Sequence, residues 1–308
     1  MDCVRRGPGI PSDQRTRAFE RFYRIPGSSP GGSGLGLSEP AWGTGLIVTV
    51  CPPVRAQTSA PVARLWVSCS ALLACLLACS GAAYAQTDEI QVYDAGITAP
   101  GHFNLTWHNN FTPSGPREAA FPGGVIPEHA LNGVPEWAYG VSDWLEAGTY
   151  LPVYTRTSDG RLLFDAIKLR ALLVVPDAHE RTVFYGLNFE FSYNAPHWDM
   201  SRYTGEIRPI IGVHLGRLDL IVNPILDTDF DGLGRLAFAP ATRASYRIGD
   251  QLALALEHYG DFGPKPSQSL FAVLDYGSSS RGIEFGIGRG LTHSADSCVL
   301  KLMLMRDL

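Results

Sequence analysis

From Thr182 to Asn194 the chain alternates between two kinds of side chain. Val183, Tyr185, Leu187, Phe189, Phe191 and Tyr193 share one parity, and Asn188, Glu190, Ser192 and Asn194 share the other. A period of two places the first set on one face of a β-strand and the second on the opposite face. The pattern recurs downstream and upstream. Ile167, Leu169, Ala171, Leu173 and Val175 oppose Lys168 and Arg170, and Ile207, Ile211 and Val213 oppose Glu206 and Arg208. Leu218, Leu220 and Val222 oppose Asp219 and Asn223; Leu252, Leu254 and Leu256 oppose Glu257 and Asp261; Leu300, Leu302 and Leu304 oppose Lys301. Clusters of Gly, Pro, Asn, Asp and Ser separate these runs. They predict twelve strands, near 103–111, 134–140, 144–153, 162–175, 182–194, 203–214, 217–227, 235–247, 251–261, 268–276, 281–290 and 297–306. Tight turns are expected at Val141-Ser142-Asp143 and Leu215-Gly216-Arg217. A long loop or plug-like insertion is expected over 112–133, which contains Pro113, Pro116, Pro122 and Pro127.

Alternation alone fits a soluble sandwich or lipocalin-like barrel as well as a membrane barrel, which turns its apolar face outward. Three features favour the second. The runs are about ten residues long, the length of a tilted bilayer crossing. Aromatic residues gather near strand ends (Trp107, Trp137, Tyr139, Trp144, Tyr150, Tyr154, Trp198, Tyr203, Tyr246, Tyr259, Tyr276), as an interfacial girdle does. The polar face carries both signs of charge, so its members can pair across a lumen. The expected fold is therefore all-β, a closed antiparallel transmembrane β-barrel of twelve strands. Its lumen is expected to be lined by Lys168, Arg170, Glu190, Glu206, Arg208, Asn223, Arg243 and Glu257, with Asp219, Asp227 and Asp275 of the same parity.

Ahead of this body, Arg64 to Gln86 reads as one basic residue, an uncharged Leu/Ala-rich core and a close on Ala83 and Ala85. That is the charge order, core length and small-residue spacing of a secretory signal peptide, assigned to 64–85. A lipoprotein-like cut before Cys79, after Leu76-Leu77-Ala78, is the alternative processing site. Of six cysteines only Cys298 lies beyond Ala85, which excludes a disulfide framework in the exported body. A net charge of −5 argues against nucleic-acid binding.

Residues 1–63 have a different character. Gly7-Pro8-Gly9-Ile10-Pro11, Phe19-Glu20-Arg21-Phe22-Tyr23-Arg24 and Gly32-Ser33-Gly34-Leu35-Gly36-Leu37 resemble the first glycine box, F box and second glycine box of sensor histidine kinases. The resemblance covers about 2–38 and implies an ATP-binding ancestry, with Gly7, Gly9, Gly32, Gly34 and Gly36 as a nucleotide-binding remnant. Arg5 and Arg6 stand where the family places its adenine-contacting Asp. The Asn-bearing metal helix and the phospho-accepting His domain have no counterpart, and Glu39-Pro40-Ala41-Trp42-Gly43 replaces the closing helix. The fragment is expected to be inactive, either the tail of a neighbouring gene or translation from a mis-set start.

The body 86–308 resembles proteobacterial outer-membrane barrels of a transporter-like family. The resemblance rests on Ile90-Gln91-Val92-Tyr93, Trp107-His108-Asn109-Asn110, His129-Ala130-Leu131-Asn132-Gly133, Glu136-Trp137-Ala138-Tyr139-Gly140, Glu146-Ala147-Gly148 with Tyr150-Leu151-Pro152, Phe184-Tyr185-Gly186-Leu187-Asn188, Glu206-Ile207-Arg208-Pro209-Ile210-Ile211-Gly212 and Ile221-Val222-Asn223-Pro224. It implies an outer-membrane location, with the lipid bilayer, the assembly machinery and small polar solutes as partners. The family's C-terminal aromatic residue is replaced by Met305-Arg306-Asp307-Leu308. Whether the lumen passes solutes or is closed by its own ion pairs stays open at this level. An outer-membrane lipid hydrolase needs Ser and His in reach on the lipid face; His258 has that parity, but Ser245 points inward. The run Asp227-Thr228-Asp229-Phe230-Asp231-Gly232 is superficially like a calcium loop, yet Phe238 stands where its bidentate Glu belongs. No catalytic, metal or cofactor set is expected.

Overall fold

The computed structural model describes residues 89–262, 266–278 and 281–308. The signal segment 64–85 and the kinase-like stretch 1–63, with Gly7, Gly9, Gly32, Gly34 and Gly36, lie outside the described residues.

Twelve strands form one closed antiparallel barrel. They are β1 Phe103–Ser114, β2 Leu131–Gly140, β3 Leu145–Arg156, β4 Leu162–Val174, β5 Val183–Asn194 and β6 Tyr203–Leu215. Then come β7 (Leu218–Asn223, resumed at Leu226–Thr228), β8 (Ala237–Phe238, resumed at Ala241–Arg247), β9 Leu252–Asp261, β10 Ser267–Gly277, β11 Arg281–Gly290 and β12 Cys298–Asp307. Each strand pairs with the next, and β1 closes on β12 from Asn104↔Asp307 to Phe111↔Leu300. The runs expected at 217–227 and 235–247 are each broken, at Pro224 and Pro240. Proline brings no N–H to the ladder, so both breaks fall where one is missing. The breaks face one another, and Ala239 N–H to Ile225 O at 3.0 Å carries the pairing across the gap.

Side-chain alternation sorts outside from inside. Leu169, Phe189, Leu256 and Ile287 project outward and are exposed, while Arg170, Glu190, Glu257 and Glu284 on the same strands are buried. A soluble barrel has the reverse arrangement; this one is built to be surrounded by lipid, with its backbone polar groups satisfied strand to strand. Aromatic rings collect at both rims. Phe103 stacks on Tyr139 (4.7 Å) at one, and Tyr193, Tyr203, Phe191 and Phe230 form a contiguous group at the other.

The rims differ in their connections. At one rim turns 141–144, 216–217 and 248–251 are short, with 175–182 the longer exception; at the opposite rim loops 115–130, 195–202, 229–236 and 291–297 are long, with 157–161 shorter. At turn 216–217, Gly216 takes a φ of 66°, a left-handed conformation that a glycine adopts without strain.

Three expectations need correction. Tyr150, Trp198 and Tyr259 do not join the girdle: Tyr150 is fully buried in the lumen, Trp198 is buried from the 195–202 loop against Val134, Val153 and Ala166, and Tyr259 packs inward on Phe271. Tyr150 and Tyr259 have inward parity on their strands, and Trp198 belongs to a loop and has no strand parity. Val175 does not face lipid, because β4 ends at Val174 and the following turn carries it into an interior apolar cluster. That cluster, with Leu172, Phe184, Ile210 and Ile221, shows that the lumen is dry near the short-turn rim. Lastly, the insertion between β1 and β2 shrinks to 115–130 and lies against the 195–202 loop, with Val125 N–H bonded to His197 O at 3.2 Å. The lumen is filled instead by 89–99, ahead of β1.

The lipid-facing assignment has a depth signature. Replacing Leu169, mid-strand and outward, by Lys is expected to cost about 2–4 kcal/mol, against about 0–1 for Leu162→Lys at the strand's end. Denaturant titration of the barrel folded into lipid vesicles reads both; equal and negligible costs would contradict a lipid-facing wall.

Candidate functional site

The site is the lumen and the segment threaded through it. Glu89 to Thr98 runs from mid-lumen to the short-turn rim, where Thr98 N–H meets Glu146 Oε2 at 2.6 Å. Its exit passes Gly140 so closely that a Cβ there would sit 2.3 Å from the carbonyl oxygens of both Thr98 and Ala99. Glycine is thus required by the approach of the segment.

Tyr93 is the fixed point. Asn223, wholly buried on β7, accepts from Tyr93 N–H (2.7 Å) and donates to Tyr93 O (3.0 Å), so one side-chain amide mimics a strand partner. The Tyr93 ring lies between two guanidinium groups, 4.3 Å from Arg208 and 5.5 Å from Arg170. Its hydroxyl meets the Tyr150 hydroxyl at 2.5 Å and Glu190 Oε1 at 3.4 Å. Cation–π contact and buried hydrogen bonds both gain strength in the low dielectric of the lumen.

The residues expected to line the lumen fall into two groups. Lys168, Arg170, Glu190, Glu206, Arg208 and Asn223 gather around Tyr93. Arg170 bridges Glu136 (2.6 Å) and Glu146, Arg208 bridges Glu206 (2.6 Å) and Glu89 (3.4 Å), and Lys168 stands 4.0 Å from Glu190. Arg243 and Glu257 lie across the lumen from them. There Arg243 pairs with Glu257, Asp275 and Glu284, and Lys301 pairs with Glu257 (2.5 Å), Glu284 (2.6 Å) and the Ile90 carbonyl (3.2 Å). Asp219 is apart from both, bonded to His214 at 2.7 Å.

Glu136, Glu146, Glu284 and Lys301 belong to these networks although only Lys301 had been singled out by parity. Glu284 carries the same signal, since Ile283, Phe285 and Ile287 flank it outward. Glu89 and Tyr93 carry no periodic signal, because their partners come from several strands.

Between Glu89–Gln91 and the β4–β7 wall, toward the long loops, lies a cavity of about 340 Å³. In the loops above, burial pushes Asp199 above the usual carboxylate range. Asp229 is held below it, because Arg235 outweighs the effect of burial. Among the described residues no three His, Cys, Asp or Glu side chains converge to hold a metal ion.

No protein-family model matches the chain. A stretch of 32 residues is 59% identical to the swarming motility regulation sensor protein RssA of Serratia marcescens, and covers 10% of this chain and 7% of that protein. Among solved structures, the COG4313 outer membrane channel from Pseudomonas putida F1 is 15% identical, with a TM-score of 0.48 over 71% of this chain and all of that one. The KdgM porin is 7% identical at a TM-score of 0.45, covering 66% of this chain and 98% of its own. The NanC porin is 7% identical at 0.43, with the same coverage. At these identities they bear on neither solute nor mechanism.

The second network sets a stability test. Lys301→Met leaves Glu257 and Glu284 each short of a buried partner, an expected loss of about 3–5 kcal/mol. Adding Glu257→Gln should return part of it, measured by denaturant unfolding in lipid vesicles. Full additivity of the two losses would mean that the groups are not coupled.

Proposed function

We propose that this protein is a bacterial outer-membrane channel for passive passage of small polar solutes, with its own segment 89–99 as the closing element. One observation carries the reading: the segment is anchored by side chains. Among the described residues no β-ladder joins 89–99 to the wall, and the isolated bridge at Pro100↔Gly140 lies at its end. Releasing it therefore costs the Tyr93 clamp, its ion pairs and the burial of Val92 and Ala95, but no strand-to-strand backbone hydrogen bond. The vacated lumen would be lined by charges of both signs, which suit hydrated polar solutes.

The location follows the same logic. Mostly short turns at one rim and mostly long loops at the other support an outer-membrane barrel whose short side faces the periplasm. The signal segment 64–85 would deliver the chain there, and the barrel-assembly machinery would insert it. We read no enzyme in it: His258 faces outward and contacts Gln268 at 3.5 Å, with no Ser nucleophile in that contact. The second reading is a structural barrel whose lumen never opens, favoured by how fully the ion pairs satisfy one another.

Planar-bilayer conductance separates the two. The Tyr93→Ala/Asn223→Ala variant loses the paired hydrogen bonds and the ring contacts. Its open fraction is expected to rise at least about tenfold, the equivalent of about 1.4 kcal/mol. Gly140→Val, which thrusts a side chain at Thr98 and Ala99, should act in the same direction. Silence from the native protein, both variants and a chain lacking residues 89–97 would leave the structural barrel standing.

A further inference from the structure

The cavity of about 340 Å³ on the long-loop side is unlike the rest of the lumen. In the network across the lumen Arg243 and Lys301 face three carboxylates; here the surplus is larger, with seven carboxylates against three basic side chains in the walls. All three bases are committed, Arg208 to Glu206 at 2.6 Å, Arg235 to Asp229 at 2.6 Å and Lys168 to Glu190 at 4.0 Å. Asp227 makes no ion pair among the described residues. An acidic wall alone would be filled by water and counterions. The floor adds an independent feature. Glu89 is 93% buried (7% exposed), its Oε1 faces Arg208 at 3.4 Å, and its Oε2 has no hydrogen-bond partner. The neighbouring Gln91 Oε1 is likewise buried without a donor. Both residues line the cavity, so its floor presents acceptors that lack donors.

The shape of the deficit names the ligand. Acceptors are spread over floor and wall rather than converging on a point, and no three of the described side chains approach a metal-binding geometry. They suit a molecule that carries several N–H donors some distance apart. The indole of Trp198 and the ring of Tyr259 also line the space, and aromatic faces attract ammonium groups.

We propose that this cavity is a binding site for small organic cations with two ammonium groups, one held by Glu89 and Gln91 and the other near Asp227. This names a solute class for the channel proposed above and rests on that reading.

The test is calorimetric titration of the protein purified from membranes in detergent, with 1,5-diaminopentane, its size-matched dianion glutarate, and calcium chloride. Saturable binding of the diamine alone is expected. Glu89→Gln and Asp227→Asn should each weaken it about tenfold. Glu89→Gln alters the threaded segment and no strand, so the barrel's folding, read by heat-dependent gel mobility, is preserved in at least that variant. Absence of saturable diamine binding, equal binding of glutarate, displacement of the diamine by calcium, or undiminished affinity in Glu89→Gln would each overturn the site. Because binding is read without conductance, a silent barrel that binds diamine discards the channel and keeps the site. A conducting barrel that ignores diamine does the opposite.

Discussion

Every other feature of this barrel depends on closing the sheet between Asn104 and Asp307. In hydrocarbon an unpaired N–H or C=O has no water to turn to, so an open edge is not tolerated. Closure of twelve strands satisfies the edges and creates an inside. Once there is an inside, charged side chains have only one direction to point, and they converge. Lys301 is fully buried 2.5 Å from Glu257 and 2.6 Å from Glu284, an arrangement that would be costly were either sign missing. The charge networks are thus a consequence of the closed wall, and the threaded segment exploits them.

Segment 89–99 is held by what a charged lumen supplies. Arg208 and Arg170 bracket the Tyr93 ring, and the Asn223 amide pairs with the Tyr93 backbone. A β-ladder would have fixed the segment permanently as another strand. Side-chain anchoring instead keeps the segment out of every strand-to-strand backbone ladder, although Lys301 and Glu146 each hold the segment and also pair with a group on another strand. Below Tyr93 the lumen changes character: Val92 and Ala95 pack with Phe184, Ile210 and Val175 in a dry cluster at the short-turn rim. The seal is apolar at its base and ionic above.

Much of the wall was legible in the sequence, because a barrel wall writes itself as a period of two. The outward set from Val183 to Tyr193 and the inward Arg170, Glu190 and Glu257 follow from parity alone. Parity failed where strands stop. Val175 lies one residue past the end of β4 and turns inward, and Pro224 and Pro240 each break a run that reads as continuous. The girdle reading weighed position along the strand and not parity: Tyr150 shares its parity with Glu146 and Tyr259 with Glu257, so both carried an inward signal that position alone overrode. The segment 89–99 was illegible for a different reason. Its partners sit on β3, β6, β7 and β12, and a stretch satisfied by many strands needs no period of its own.

The two charge networks, and the cavity between segment and wall, share one asymmetry. Arg243 and Lys301 face three carboxylates, and the group around Tyr93 likewise holds more acids than bases. An interior that served only to hold the wall together would gain by neutralising itself, since each unmatched buried carboxylate costs desolvation energy. The surplus is instead greatest at the cavity toward the long loops, where water and solutes have access. Negative potential in a low-dielectric wall concentrates cations at its mouth. The energetic compromise is therefore placed where a positive charge entering from the long-loop rim would relieve it, the feature on which the proposed cation site rests.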